Sequence, residues 1–526
     1  MASLTNRLGY FNPQYLRECR GRLKPRNVMA AVVLSGLFQA LLYLSIANSY
    51  DYEGRPSDAF EIFRALSSII PYALFALGGY YIVDDLAHEA RTGTLNFIRL
   101  SPRPAREILI GKLLGVPMLP LLLVISTLPM HVVSGLMAGA SPLLLLSYYL
   151  IVAIGAVTVF TMALLTGLGS GASKLTQQRG VSAIAFAGLT LFTLSPAFTL
   201  WNSQITWQTV TTGEQIFRSW DETSSLYWMA LNIGRSALFS HLFVLGNFAV
   251  VSTLVWRTAV RKFRVPRATL LSRQVGYLSM IYLNVLVFGF FIGNGMEGRE
   301  QFEGVITLYF LNAFALLALI FALSPSRQQL LDWVSYRAQA RRTGHASSAQ
   351  GLWRSLVWSD ISPSVGAIAL NALIAAAVIV PAAFIFGQGR LDYYDEPIPD
   401  ITAIALLFAT LSIGISSLTY ATLVQVIFSS RLRSPLVWAV GTVATIAIVP
   451  PLALAFLDIM PDSSVNAGTL WTFLGLPLFG NAHVQVPSIG WVGLLGQLCL
   501  LGLLLGRLNQ NLKQLEAQSK KVLQEA

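Results

Sequence analysis

Residues 143–169 read LLLLSYYLIVAIGAVTVFTMALLTGLG, 27 residues without one charge. A helix rises 1.5 Å per residue, so this run outlasts the roughly 30 Å of hydrocarbon in a bilayer. No water reaches the backbone at that depth, and the amides and carbonyls must find partners within the segment, as they do in a helix. A transmembrane barrel strand would alternate apolar and polar residues, and this run does not.

The pattern repeats on both sides of that stretch. Apolar runs fall near 28–48, 62–83, 112–136, 180–200 and 236–256, then near 275–294, 304–324, 364–386, 400–420, 434–457 and 488–506. Only 12% of the 526 residues are charged, against about 25% in a soluble domain. The expected fold is an all-α polytopic integral membrane protein with about twelve transmembrane helices in two bundles.

The net charge of +11 invites a nucleic-acid reading until the charges are placed. With the N-terminus inside, 30 of the 36 Lys and Arg residues fall on inner segments; only Arg55, Arg64, Arg218, Arg235, Arg299 and Arg390 fall outside. Positive charge is retained on the cytoplasmic side, so both termini are expected to be cytoplasmic and no nucleic-acid partner is implied. The expected location is the plasma (inner) membrane. About 27 polar and basic residues precede the first span, too many for the n-region of a cleaved leader, so that span reads as an anchor. Cys19 and Cys499 offer neither a disulfide framework nor a cysteine metal site.

Along the chain, residues 1–27 form an N-terminal segment in which 11–26, FNPQYLRECRGRLKPR, is basic and moderately amphipathic. It suits a helix on the inner interface, with Tyr15 and Leu16 in lipid and Arg17, Arg20 and Arg22 near headgroups. A plain orientation signal explains it equally well. Residues 28–260 form a first six-span bundle with an inner loop at 84–111. The aromatic-rich outer connection 201–235 suits short interfacial helices. Residues 261–343 hold spans seven and eight and a basic inner helix, 344–351 a linker, and 352–506 the last four spans. In the tail, 507–526, Leu508, Leu512 and Leu515 recur helically beside Lys513, Lys520 and Lys521, as in a solvated amphipathic tail. No repeat is legible residue by residue.

Chemistry at depth is sparse. Asn284, Asn312, Asn371 and Gln425 are neutral mid-span residues, expected to join helices by hydrogen bonds. His131 and His241 are isolated, and five scattered histidines make no metal site. The text nearest a P-loop, REILIGKL at 106–113, lacks the first Gly and the closing Ser/Thr of GxxxxGK[ST]. The chain is therefore expected to hydrolyse no nucleotide, bind no cofactor and carry no catalytic residue. Asp84-Asp85-Leu86-Ala87-His88 resembles the aspartate-rich motif of membrane prenyltransferases, but ends in His and has no second copy. Asp51-Tyr52-Glu53 resembles the acidic pair of membrane glycosyltransferases and reads more simply as a solvated turn.

The patterned segment is 89–115, EARTGTLNFIRLSPRPAREILIGKLLG. Gly93 permits a tight turn, and Pro102 and Pro104 bar a continuous helix. Between them, a short amphipathic element presents Leu95, Phe97, Ile98 and Leu100 beside Arg91, Arg99, Arg103 and Arg106. Apolar knobs ringed by charge on the inner face suit the docking of a soluble partner.

This segment resembles the inner loop of the type-2 ATP-binding-cassette (ABC) exporter permeases, E-R-E-x-G-T-L-E-x-L-L-x-x-P-x-x-x-x-E-I-L-x-G-K. Glu89, Arg91, Gly93, Thr94, Leu95, Pro102, Glu107, Ile108, Leu109, Gly111 and Lys112 match it, while Ala90 and Asn96 depart from it. The resemblance covers about the first 260 residues, and six further spans lie beyond the usual six. It implies a coupling loop formed by Glu89, Arg91, Thr92, Gly93, Thr94, Leu95, Phe97, Ile98, Arg103, Arg106 and Glu107, docked on a separate ABC ATPase subunit that binds ATP and magnesium. It further implies export of a lipid-like, amphipathic or glycan-linked substrate, with membrane lipid as surroundings and a homodimer or a second permease completing the pathway.

Two other classes compete. A major-facilitator secondary transporter would place its long inner loop after span six and carry G-x-x-x-D-x-x-G-R-R; neither is present. A membrane-embedded transferase, or a scaffold that transports nothing, would fit the composition without the loop.

Overall fold

A computed structural model describes residues 12–48, 57–170, 181–196, 198, 227–234, 236–293, 299–342, 349–386, 392–393, 396–397, 403–459, 465–475 and 486–525. These are helical apart from two hairpins of two-residue strands, Tyr227–Trp228 with Leu231–Asn232 and Asp392–Tyr393 with Glu396–Pro397. Among the described residues, eleven helices are long and apolar enough to cross a membrane, and a shorter apolar helix covers Ser182–Leu194. The chain is a multi-pass membrane protein of about twelve spans. Most of the outer aromatic connection 201–235, and Asp51 and Glu53, lie outside the described residues.

The chain forms two compact units. The first comprises 1–227 and 232–266, the second 228–231 and 267–526, so the stretch 344–351 falls inside the second.

In the first unit, α1 (Pro13–Arg22) precedes the spanning helix α2 (Pro25–Ala47). The second span, α3 (Asp58–Thr92), is one long helix. Pro71 in its middle has no amide to donate, and a π-turn at Ala73–Leu77 follows it. Beyond α3 come the short α4 (Thr94–Arg99), α5 (Ala105–Gly115), and the spans α6 (Met118–Met137), α7 (Pro142–Ser170), α8 (Val181–Leu189, continued by a π-turn to Leu194) and α9 (Ala237–Arg264). One apolar core runs through α3, α5, α7 and the far end of α9. His131 is not isolated: Nε2 lies 2.8 Å from Ser67 Oγ and Nδ1 lies 2.6 Å from Tyr149 OH. Tyr148 OH donates to the Ser67 carbonyl at 2.9 Å. Sequence distance hid this cluster, since its members come from three spans.

The second unit contains α10 (Arg273–Gly293), α11 (Arg299–Leu323), α12 (Arg327–Arg342), α13 (Ala349–Trp358), α14 (Val365–Phe386), α15 (Ala403–Ser429), α16 (Pro435–Phe456), α17 (Val465–Phe473) and α18 (Val486–Glu525). Asn284, Asn312 and Gln425 join helices as expected, whereas Asn371 donates to the Ala367 carbonyl of its own helix. Asn284 and Asn312 exchange hydrogen bonds of 2.8 and 3.0 Å. Gln425 accepts from Ser364 and donates to the Pro325 carbonyl. The buried Arg273 guanidinium donates to the carbonyls of Leu356, Ser362 and Pro363, satisfying the end of α13. The tail packs along one face and is exposed along the other: α18 runs on to Glu525, with Leu508 and Leu515 buried, Gln510 and Lys513 exposed, and Arg327 of α12 donating to Gln518 at 2.7 Å.

Between the spans expected at 434–457 and 488–506, α17 enters the helix packing. Thr472 and Phe473 sit where Gly493 and Gly496 of α18 leave room. Gln497 Nε2 donates to the carbonyls of both, at 2.6 and 3.2 Å. Gln497 is the twelfth residue of α18, and its partner Ser416 the fourteenth of α15. At 1.5 Å per residue, the end of α17 lies deep between spans.

The two units share a packing order. In each, the fourth span packs on the sixth (α7 on α9, α15 on α18) and the second on the fourth (α3 on α7, α11 on α15). The first also packs on the third (α2 on α6, α10 on α14) and the second on the third (α3 on α6, α11 on α14). A repeat invisible in the residues is thus visible in the contacts.

Candidate partner-docking site

The inner loop expected to dock a partner is built outward from α3. The helix ends at Thr92, and Gly93, at φ +78°, turns the chain in the left-handed conformation that glycine adopts without strain. Thr94 Oγ1 then donates to the Glu89 carbonyl at 3.3 Å, and Thr92 Oγ1 lies 2.9 Å from Thr94 Oγ1. These contacts tie α4 to the helix before it. Pro102 and Pro104 end the corner, and α5 starts at Ala105.

One turn of α4 divides the four expected knobs into two pairs. Leu95 and Ile98 are buried in the core beside Leu86, Ile108 and Leu109. Phe97 and Leu100 are 79% and 84% exposed. Only the second pair is available to a partner; Leu95 and Ile98 anchor the element, as residues three apart on one face must do together. Around the exposed pair, Arg103 and Arg106 are exposed, and Arg99 stacks over Phe263 at 5.5 Å. Arg103 pairs with Glu107 at 3.3 Å, both half-exposed, a contact that adds little stability. Arg91 is half-buried, Thr92 exposed, and Glu89 buried.

Glu89 belongs to an ionic cluster the sequence reading did not assemble. Lys112 Nζ, fully buried, lies 2.6 Å from Asp85, 2.8 Å from Glu89 and 3.5 Å from Glu18. The Glu89 contact is an ion pair rather than an aligned hydrogen bond. Arg22 reaches Asp85 at 2.6 Å and Glu18 at 3.2 Å. Arg17 reaches Glu89 at 2.8 Å and Glu18 at 3.0 Å. Three cations thus balance three carboxylates. Burial pulls the Lys112 ammonium toward neutrality, but Asp85, Glu89 and Glu18 outweigh it and hold it above the ordinary lysine range. The carboxylates are close enough together for a metal ion, but Lys112 is the cation they hold.

This cluster revises the reading of residues 11–26. Arg17 and Arg22 pair with carboxylates, Arg17 remaining half-exposed, while Arg20 is exposed. Burial among three acids leaves α1 lying along α5. Asn12 caps α1 by accepting from the Tyr15 amide and donates to the Glu107 carbonyl at 2.7 Å. Gly111 and Gly115 allow the approach: a Cβ at Gly111 would stand 2.8 Å from the Tyr15 nitrogen, and one at Gly115 2.7 Å from Glu18 Cβ. Small residues four apart let helix backbones meet closely. The available signal was spacing, since Glu18 and Arg22, and Asp85 and Glu89, are each i,i+4 pairs. Asp84 is half-buried and His88 exposed, so Asp85 alone of that acidic motif enters the cluster.

The exposed pair and the cluster are linked through Glu89, whose carbonyl accepts from Thr94 and whose carboxylate meets Lys112 and Arg17. Compared with known proteins, the chain matches no family model, no curated relative and no solved structure.

Proposed function

We propose that this chain is the transmembrane permease of an ABC exporter whose ATP is hydrolysed by a separate subunit. The observation that carries this reading is the pair Phe97 and Leu100, displayed on a short helix beside a six-charge cluster built around the buried Lys112. An exposed apolar pair on a rigid mount is what a groove in a soluble partner would grip. In this reading, ATP and magnesium bind the partner, whose closure pushes α4; the charge cluster carries the push to α1 and α3. The two units with one packing order act as the two halves of a permease within one chain. A lipid-like or amphipathic substrate suits the apolar spans.

The test is co-purification from native membranes in mild detergent, with ATP hydrolysis assayed on the eluate. The expected result is an ATPase subunit that accompanies the wild type and is lost from the double variant Phe97→Asp, Leu100→Asp. An intact, crosslink-verified preparation without any ATPase would overturn the reading.

One observation favours ion-coupled transport as a second reading: His131, buried between Ser67 and Tyr149 within the spans. Intramembrane ionisable groups mark proton or ion pathways. Substrate uptake into vesicles driven by a pH gradient without ATP, and abolished by His131→Phe, would replace the ABC reading.

A further inference from the structure

Three helical stripes in the second unit converge on a recess that no side chain fills. From α15 come Ile413, Ser416, Ser417 and Tyr420, spaced as one helix face; from α11 come Phe310 and Phe314. The facing stripe of α16 is short: Val440, Val443, Ala444 and Ala447. The recess measures about 450 Å³, within the range of small-molecule sites.

The first unit shows what closes such a gap. There the second and fifth spans pack together, and the Phe186 ring rests on Gly79, where a Cβ would stand only 2.5 Å from it. Phe75 and Phe198 meet edge to face at 5.5 Å alongside. In the second unit the small residues of α16 do not bridge to α11, and the recess takes the place of that contact.

Its floor and its mouth indicate the occupant. Gly475, at φ +81°, follows α17 and lines the recess; a Cβ there would stand 2.4 Å from Ser416 Oγ. Irregular backbone at such depth persists only against protein or a cavity. Phe314 and Ile448, at the rim, are 69% and 55% exposed. A recess opening sideways from spanning helices opens onto hydrocarbon. We infer that it holds one acyl chain of a bilayer lipid as a bound lipid, distinct from the exchanging lipids around the helices. Tyr309, Ser416, Ser417 and Tyr420 supply the few hydroxyls on an otherwise apolar wall; Ser416 accepts from Gln497 and Tyr309 donates to the Ala409 carbonyl. This inference stands on the multi-pass fold and is independent of any partner at Phe97.

The test uses the full chain in nanodiscs of phosphatidylethanolamine and phosphatidylglycerol, doped with a phosphatidylcholine that carries a diazirine on one acyl chain. After irradiation, adducts are mapped by peptide mass spectrometry. The wild type is expected to concentrate adducts on peptides 309–321 and 413–420. Ala444→Trp, which fills the recess, is expected to lower them at least about tenfold. Val449→Trp, on an exposed part of the same helix, is expected to leave them unchanged. If Ala444→Trp loses its monodisperse gel-filtration peak, Ala313→Phe fills the recess from α11 instead. Equal labelling in the wild type and a folded filled variant, or labelling no stronger than on the exposed Leu37 and Leu41 of α2, would overturn the inference.

Discussion

Lys112 shows how a residue can be present in a motif yet have its role concealed. Its place after Gly111 is legible as part of a loop signature, whereas its contact with Asp85, 27 positions away, and Glu18, 94 positions away, is a product of folding. The same holds for Arg17 and Arg22, whose basic context reads as membrane-seeking until carboxylates from α3 appear beside them. Replacing Lys112 by Met would leave three buried carboxylates facing two arginines. Removing one partner of a buried ion pair costs about 3–5 kcal/mol, so a marked fall in the unfolding midpoint in detergent is expected, with Lys112→Arg milder. The cluster also sets a direction with pH. A lysine held above its ordinary value contributes stability that is whole below about 10.4, the unfolded value, and is lost as pH rises through the raised one. Thermal unfolding of the wild type followed from pH 8 to 11.5 is expected to fall steeply at the upper end, with Lys112→Met flat there.

At the scale of elements, the alternation inside α4 separates anchoring from display. Leu95→Ala removes a buried side chain, and such truncations cost about 2–5 kcal/mol; Phe97→Ala, at an exposed position, is expected within about 0.5 kcal/mol of wild type. Chemical denaturation of both variants would check this, and equal destabilisation would contradict the division. α17 makes a second case. Gln497→Leu removes the side-chain donor to the Phe473 carbonyl and one of three donors to the Thr472 carbonyl, which keeps Ser412 Oγ and the Gly475 amide; a loss of about 1–3 kcal/mol is expected. Protease accessibility of residues 465–475 is expected to rise. Neither feature was fully legible beforehand. Long apolar runs announce spans because the bilayer imposes their length, but a nine-residue helix such as α17 carries no length signal. In the tail the helical leucines are visible in the sequence, whereas the packing of α12 on that stretch of α18 joins segments far apart in the chain.

At the scale of the molecule, orientation and duplication are the claims with consequences. Thirty basic residues on one set of connections predict an orientation with α4 and the far end of α18 in the cytoplasm. Single cysteines at Arg103, Arg433 and Lys513 are expected to react with a membrane-impermeant maleimide only after the membrane is opened. A cysteine at Gly139 is expected to react from outside in intact cells; the reverse pattern would invert the topology. The doubled packing order appears with no readable sequence repeat, since helix contacts depend on which faces are small or large and not on which residues make them so. The short helix α4 and its turn at Gly93 are readable because Gly and Pro punctuate a short stretch of sequence.

The most direct test places a photoreactive benzoylphenylalanine at Phe97 in the full chain, irradiates native membranes and identifies the adduct by mass spectrometry. The expected adduct is a subunit with nucleotide-binding motifs, lost when the same group is moved to the exposed, lipid-facing Leu41. An adduct restricted to lipid, or to a second copy of this chain, in membranes where the protein is folded and active, would contradict the docking role of α4 and the ABC reading with it.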